Sequence, residues 1–296
     1  MDFNSKFDND EKWKIELRAN FISVSCGNQS FYEDIGHYYH CYAPASIYKY
    51  YKDTTENFEA IKNNKMWYSV PSEFNDVFDC EIIVDKDKLL KSILQTQQKV
   101  RIGSPAWKQA QLLVRKEALK LQGTFEELRS KMGVTCLSEV DDSLLMWAHY
   151  TNNHRGFCAE YDLMEFNKRL QFTPVPVIYS DNRVVFDSLN LNTSGEDSIR
   201  FFIEGITSKS SQWNYEKEWR IIRDDSACGD KWDDVNKGAL LESIQPLSII
   251  LGCASAEELE SKIYQHCKAN KINLYKMEKD RNHYQLNKKE ILIFDD

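Results

Sequence analysis

The sequence predicts an α+β fold: a single domain with a mixed or antiparallel sheet core, a helical insert and a C-terminal strand-helix-strand unit. Three observations carry this expectation. Short runs rich in aromatic and β-branched residues recur between turn signals, as strands do. From Asp85 to about residue 132 the apolar residues instead fall at helical spacing. Near the end, Leu247 to Leu251, Ala256 to Asn270 and Ile272 to Met277 read as strand, helix and strand, the order of a crossover unit.

Taken in order, residues 1–44 form an N-terminal extension expected to pack on the core, with a helix and a short strand between Trp13 and Val24 and a turn at Cys26 to Ser30. The domain proper spans 45–296. Ile47 to Tyr51 is a strand by its aromatic and branched content, Thr55 to Ile61 a short helix capped by Thr54 or Thr55, and Met66 to Val70 a second strand closed by Pro71. The helical insert covers about 85–132. Asp85 opens its first helix, Ser104-Pro105 its second in a cap-then-proline arrangement, and Gly123 is expected to interrupt the latter. Val134 to Ser138 is a strand, and Asp141, Asp142 or Ser143 caps a short helix through His149. Gly156, supplying a positive φ, then releases the chain into the strand Phe157 to Tyr161. Val175 to Tyr179 and Trp219 to Arg223 are further strands, with a helix at Ile199 to Ser208 between them. Ser255 caps the last helix, and Glu290 to Phe294 is an edge strand.

Composition narrows the class. The 296 residues are 42% hydrophobic and 28% charged, which excludes a disordered or fibrous chain. A chain of this length buries a sizeable core without staples, so no structural metal is expected. No apolar run approaches the roughly 18 residues of a membrane helix. Residues 1–14 lack an apolar stretch behind a basic start, so a cytoplasmic protein with no membrane partner is expected. The net charge is −8, from 46 acidic and 38 basic residues, which argues against non-specific nucleic-acid binding. The eight cysteines form no C-x-x-C pair and read as free, mostly buried thiols.

Familiar phosphate-loop, dinucleotide-binding, zinc-protease and serine-hydrolase signatures are absent. His37, His40 and Cys41 lack a second ligand pair and read as aromatic packing. The segment Ser72 to Asp79 follows a strand, so Asn75, Asp76 and Asp79 either line a site or form a turn. Within Trp147 to Phe157, His149 is a candidate acid, base or hydrogen-bond donor, whereas His154 reads as structural. If a strand starts near Tyr215, Glu216 and Glu218 share one face, because side chains alternate with period two. Two like charges so placed need a cation, a hydroxyl or an arginine to offset them.

Several of these blocks occur together in one order: Pro71-Ser72-Glu73-Phe74-Asn75-Asp76, Cys136-Leu137-Ser138-Glu139, Leu145-Met146-Trp147-Ala148-His149-Tyr150, His154-x-Gly156-Phe157-Cys158 and Tyr215-Glu216-Lys217-Glu218-Trp219-Arg220. As a set, from about Ile47 to the C-terminal strands, they resemble the domain-of-unknown-function 2971 family of bacterial proteins. Val77 stands where that family usually has proline. The order of elements also resembles the ADP-ribosyltransferase fold. That resemblance implies NAD as substrate and cleavage of its N-glycosidic bond, by a toxin or phage-defence effector with a macromolecular acceptor. It implies that Lys49 or Tyr50 on the first strand, Tyr68 and Ser69 on the second, and Asn75 and Asp76 contact NAD. Glu218 would stabilise the oxocarbenium-like transition state, and Glu216 would orient or deprotonate the acceptor. Two other readings stay open: a metal-dependent nuclease or phosphoesterase using Asp76, Asp79, His149 and the glutamates, and a non-enzymatic ligand-sensing module walled by Trp147, Trp213 and Trp219.

Overall fold

The computed structural model of the chain describes residues 11–96, 100–170, 173–186 and 196–292. Its elements begin with helices α1 (Lys12–Ser25) and α2 (Tyr32–Cys41), strand β1 (Ser46–Tyr51), helix α3 (Thr55–Lys62), and strands β2 (Lys65–Ser69) and β3 (Ile83–Val84). Helices α4 (Lys86–Thr96) and α5 (Pro105–Ser130), strand β4 (Met132–Ser138), helix α6 (Leu144–Tyr150), strand β5 (Phe157–Asp162) and helix α7 (Leu163–Leu170) follow. Short strands β6 (Val175–Pro176), β7 (Ile178–Ser180) and β8 (Val185–Phe186) precede helix α8 (Glu196–Ile206) and strand β9 (Ser208–Ser210). The remainder is β10 (Glu218–Asp224), α9 (Asp225–Cys228), β11 (Trp232–Asp233), β12 (Gly238–Glu242), β13 (Ser248–Leu251), α10 (Glu257–Asn270), β14 (Asn273–Lys279) and β15 (Leu286–Ile291). The α+β class expected from the sequence is the one observed.

The chain divides into two compact units. The first holds the described parts of Met1–Ile35, Val70–Met132 and Ile178–Ser211. Its core joins Ile82, Leu89, Val114, Phe125, Phe186 and Phe201, with the parallel pairs β3–β8 and β7–β9 beside it. Both helix starts read from the sequence are present. Ser104 Oγ accepts the Trp107 N–H with Pro105 behind it, and Asp85 Oδ1 accepts the N–H groups of Asp87 and Lys88. Gly123, by contrast, does not interrupt α5. Ala118 and Phe125 on either side are buried in the core, and that anchoring outweighs the roughly 1 kcal/mol a helical glycine costs. Nor is there a strand near Val24: residues 21–24 continue α1, whose Ser23 and Ser25 hydroxyls bond back to carbonyls four residues earlier. The Arg18 guanidinium donates to Ser208 Oγ in the same unit at 2.9 Å.

The second unit holds the described parts of Gly36–Ser69, Gly133–Val177 and Gln212–Asp296. Its sheet runs β11-β12-β2-β4-β1-β5-β13-β14-β15, with β10 paired to β4 and β6 paired to β10. Strands β13 and β14 are parallel and joined by α10, the crossover unit expected from the sequence. Over one part of the sheet Trp147 of α6 clusters with Cys158 of β5, Ile250 of β13 and Met277 of β14, all essentially inaccessible. The Trp147 indole N–H donates to the Asp141 carbonyl. Ser143 caps α6 by accepting the Met146 N–H. Ser255 is not the cap of α10: its hydroxyl donates to the Gly252 carbonyl and to Glu260, and Ala256 stands at the cap position. The final strand lies earlier than Glu290 to Phe294, at Leu286–Ile291; residues 293–296 fall outside the described residues. All eight cysteines are free, and Cys41 is exposed.

The turn after α6 also differs from expectation. Asn152, Asn153 and His154 are left-handed in succession, with φ of 52°, 58° and 65°, whereas Gly156 is not. Asparagine tolerates that region better than most residues. Gly156 is required for space: a Cβ there would lie 2.0 Å from the Tyr51 carbonyl oxygen. A Cβ on Gly252 would lie 2.1 Å from the His154 carbonyl oxygen. Backbone bonds from Gly252 N–H to Gly156 O (2.9 Å) and from Ala254 N–H to His154 O (3.0 Å) run through this contact. Gly156→Ala is therefore expected to lower stability by about 3 kcal/mol in urea denaturation, as overpacking against backbone does. Gly123→Ala, in open space on α5, is expected to be neutral or to stabilise by about 0.5–1 kcal/mol.

Candidate active site

Charged and hydroxyl side chains of the second unit converge around β4. β2 meets β4 with Ser69 opposite Val134, β1 meets it with Tyr48 opposite Ser138, and β10 pairs with it too. Lys49 on β1 reaches across: its Nζ donates to Thr135 Oγ1 at 2.7 Å and to the Cys136 carbonyl at 3.3 Å. Burial pushes the Lys49 ammonium below the ordinary lysine range, while Cys136 and the Glu218 carboxylate pull it back up. Tyr50, one residue on, takes the other face of the strand, as period two requires. Its hydroxyl donates to the Val140 carbonyl, and its ring meets Trp147 edge-on. Burial pushes the hydroxyls of Tyr50 and Tyr68 well above the ordinary tyrosine range, with Arg223 of β10 tempering Tyr68.

Glu216 and Glu218 are 2% and 4% exposed, but they do not lie on one strand face. Residues Ser211–Glu216 form a 3-10 helical turn, Lys217 is left-handed with φ of 45°, and β10 starts only at Glu218. The alternation expected from Tyr215 onward is broken at Lys217. The two carboxylates consequently have different partners. Glu216 Oε1 accepts the Tyr150 hydroxyl at 2.5 Å, and its carbonyl accepts the Ser138 hydroxyl at 2.6 Å. Glu218 is held bidentately by Arg220, with Nε to Oε1 at 2.7 Å and Nη2 to Oε2 at 3.0 Å. Arg220 is completely inaccessible. Between them Trp219 donates its indole N–H to Glu139 Oε1 at 2.7 Å.

His149 faces solvent on α6, and its neighbour Tyr150 is the residue of that helix that reaches Glu216. Tyr68 is buried on β2, and Ser69 ends that strand half-buried. Asn75 and Asp76 belong to the first unit. There Asp76 Oδ1 accepts the Phe78 N–H and the Asp76 carbonyl accepts that of Asp79, which makes this segment a side-chain-closed turn. Asp79 lies 3.5 Å from the Lys209 ammonium, with both side chains buried. Among the described residues, no group of three or more His, Cys, Asp or Glu could hold a metal ion. Tyr150 and Ser138 were not singled out from the sequence. For Arg220 a signal existed, since the residue two along a strand from Glu218 shares its face. Nothing local points Tyr150 or Ser138 at Glu216, because those contacts span 66 and 78 residues.

Residues 146–221 match the model of a family described as a protein of unknown function, DUF2971. That segment runs from α6 into β10 and includes Tyr150, Glu216, Glu218 and Arg220. It is narrower than the resemblance from about Ile47 onward. No curated protein and no solved structure matches the chain.

Removing one partner of a buried ion pair leaves the other charge uncompensated. Arg220→Met is expected to lower stability by about 3–5 kcal/mol, and adding Glu218→Leu to recover most of it, as read by chemical denaturation. A second expectation concerns pH. Burial, and then the charge of Lys279, hold His154 below its ordinary value. The unfolded chain therefore binds this proton more readily, so stability falls as pH drops through and below about 6.5. His154→Asn, which keeps a residue tolerant of positive φ, should flatten that limb of a stability-versus-pH curve.

Proposed function

We propose that this protein cleaves the N-glycosidic bond of NAD in the manner of an ADP-ribosyltransferase or NAD glycohydrolase. The observation that carries the proposal is the pairing of β1, β2 and β10 with the single strand β4, which brings Lys49 within electrostatic reach of Glu218. These are the strands, and two of the positions, on which the resemblance to that fold rests. In this reading the bond from ribose to nicotinamide breaks with its electron pair leaving on nicotinamide. Positive charge develops on the ribose, and Glu218, oriented by the Arg220 fork, stabilises it electrostatically. Glu216, oriented by Tyr150, takes the proton of the water or acceptor that attacks the ribose. Lys49 would meet the phosphates, and Tyr68 and Ser69 the nicotinamide. Asn75 and Asp76 have no part in this proposal, and no metal is included in it. Uncontrolled NAD cleavage depletes a cell, which fits a toxin or phage-defence effector, with the acceptor a macromolecule or water.

One observation favours a second reading. Both carboxylates already have internal partners in Tyr150 and Arg220, as in a module that binds a ligand without turning it over.

The decisive measurement is nicotinamide release from NAD by wild type beside Glu216→Gln and Glu218→Gln, with melting curves for each. Turnover by wild type, lowered about 10²–10³-fold in a folded Glu216→Gln protein, is expected. Full turnover by both variants would end the assignment. Saturable NAD binding by wild type without nicotinamide release would favour the sensing module.

A further inference from the structure

A concavity in the sheet-bearing unit shares no residue with the candidate active site. Its volume is about 640 Å³, within the usual range for small-molecule sites. Three loops line it: the left-handed turn at Asn153 and His154, the segment after β13 at Cys253, and the hairpin loop between β14 and β15. The first two are locked together by the Gly252 and Gly156 backbone contacts described above. The hairpin loop is closed by the Asp280 N–H donating to the Gln285 carbonyl at 3.1 Å.

The charge in this cleft is mixed: Lys279, Arg281 and the ionised Asp280 carboxylate all line it. Asp280 is taken up by its own loop. Its carboxylate accepts the N–H groups of Asn282 (2.7 Å) and His283 (2.8 Å) and the Asn287 side chain (2.9 Å). These donors hold it well below the usual carboxylate range. Lys279 and Arg281 also line the cleft, and neither has an acidic partner among the described residues. The charge of Lys279 is felt at His154, on the opposite loop. Lys279 and Arg281, each without an acidic partner among the described residues, therefore border one hollow with His154 and His283, the latter against Asp280.

We infer that this cleft is a binding site for a small phosphate-bearing anion, held by Lys279 and Arg281 with His154 on the facing loop. A guanidinium presents a planar fork that matches phosphate oxygens, and an ammonium beside it supplies a point charge, so the two suit a multiply charged phosphate. The hollow exceeds a bare ion, so the phosphate is one end of a larger molecule. Tyr284, fully exposed at 101% on the rim, offers an aromatic face to a heterocyclic base. The ligand class is a phosphate ester or phosphoanhydride of nucleotide size.

Isothermal titration of the full-length protein with inorganic pyrophosphate tests this independently of any NAD turnover. Saturable binding is expected, weakened at least tenfold by Arg281→Ala and by Lys279→Ala, two exposed positions that fold does not depend on. Lys289→Ala, outside the cleft, and Glu216→Gln, in the candidate active site, should bind as wild type does. Absence of saturable binding to the wild type would overturn the inference, and so would equal binding by the Arg281 and Lys279 variants.

Discussion

A carboxylate withdrawn from water must be answered by a cation or by donors, and in this protein Arg220 answers Glu218. The fork closes within β10 itself, two residues along the strand, so the pair forms wherever that strand forms. The strand in turn begins where it does because Lys217 turns left-handed and the Glu218 carbonyl receives the Val177 N–H. Glu216 is thereby set one turn apart and answered by Tyr150 instead. The two glutamates, two residues apart in sequence, end in unlike electrostatic settings. Such divergence is how one site acquires groups with different duties.

β4 is the common support. It carries Ser138 to the Glu216 backbone, offers Thr135 and the Cys136 carbonyl to Lys49, and pairs with the strands bearing Tyr68 and Glu218. Side chains anchored at both ends keep their rotamers, and a site of such groups needs little rearrangement to act. The same rigidity marks the turn after α6, where two glycines admit backbone into places a methyl group would occupy.

Much of the architecture was legible because local chemistry and tertiary structure agree. Aromatic and branched runs became β1, β2, β4 and β5, and the caps at Asp85, Ser104 and Ser143 stand where short polar side chains can bond the first helical N–H groups. The misreadings share a cause: packing overrode a local preference. Gly123 lies inside a helix pinned by Ala118 and Phe125, and Gly156 is kept small by Tyr51 with no demand on φ. A left-handed lysine at 217 has no propensity signal, so the face shared by Glu216 and Glu218 was expected where none exists. At the site, residue types were readable but partnerships were not. His149 has the more reactive side chain, yet the helix turns Tyr150 toward the carboxylate.

The sheet order terminates in β15, whose residues 287–290 read Asn-Lys-Lys-Glu and are all exposed. A terminal strand is a template on which another chain can continue the ladder, the route by which folded proteins seed fibrils. Here an incoming strand would have to strip water from two ammonium groups and a carboxylate before its first main-chain bond formed, and Lys288 and Lys289 are already tethered to Asp141 and Glu278. The charges of this strand thus oppose such pairing, while two of them also form ion pairs within the fold.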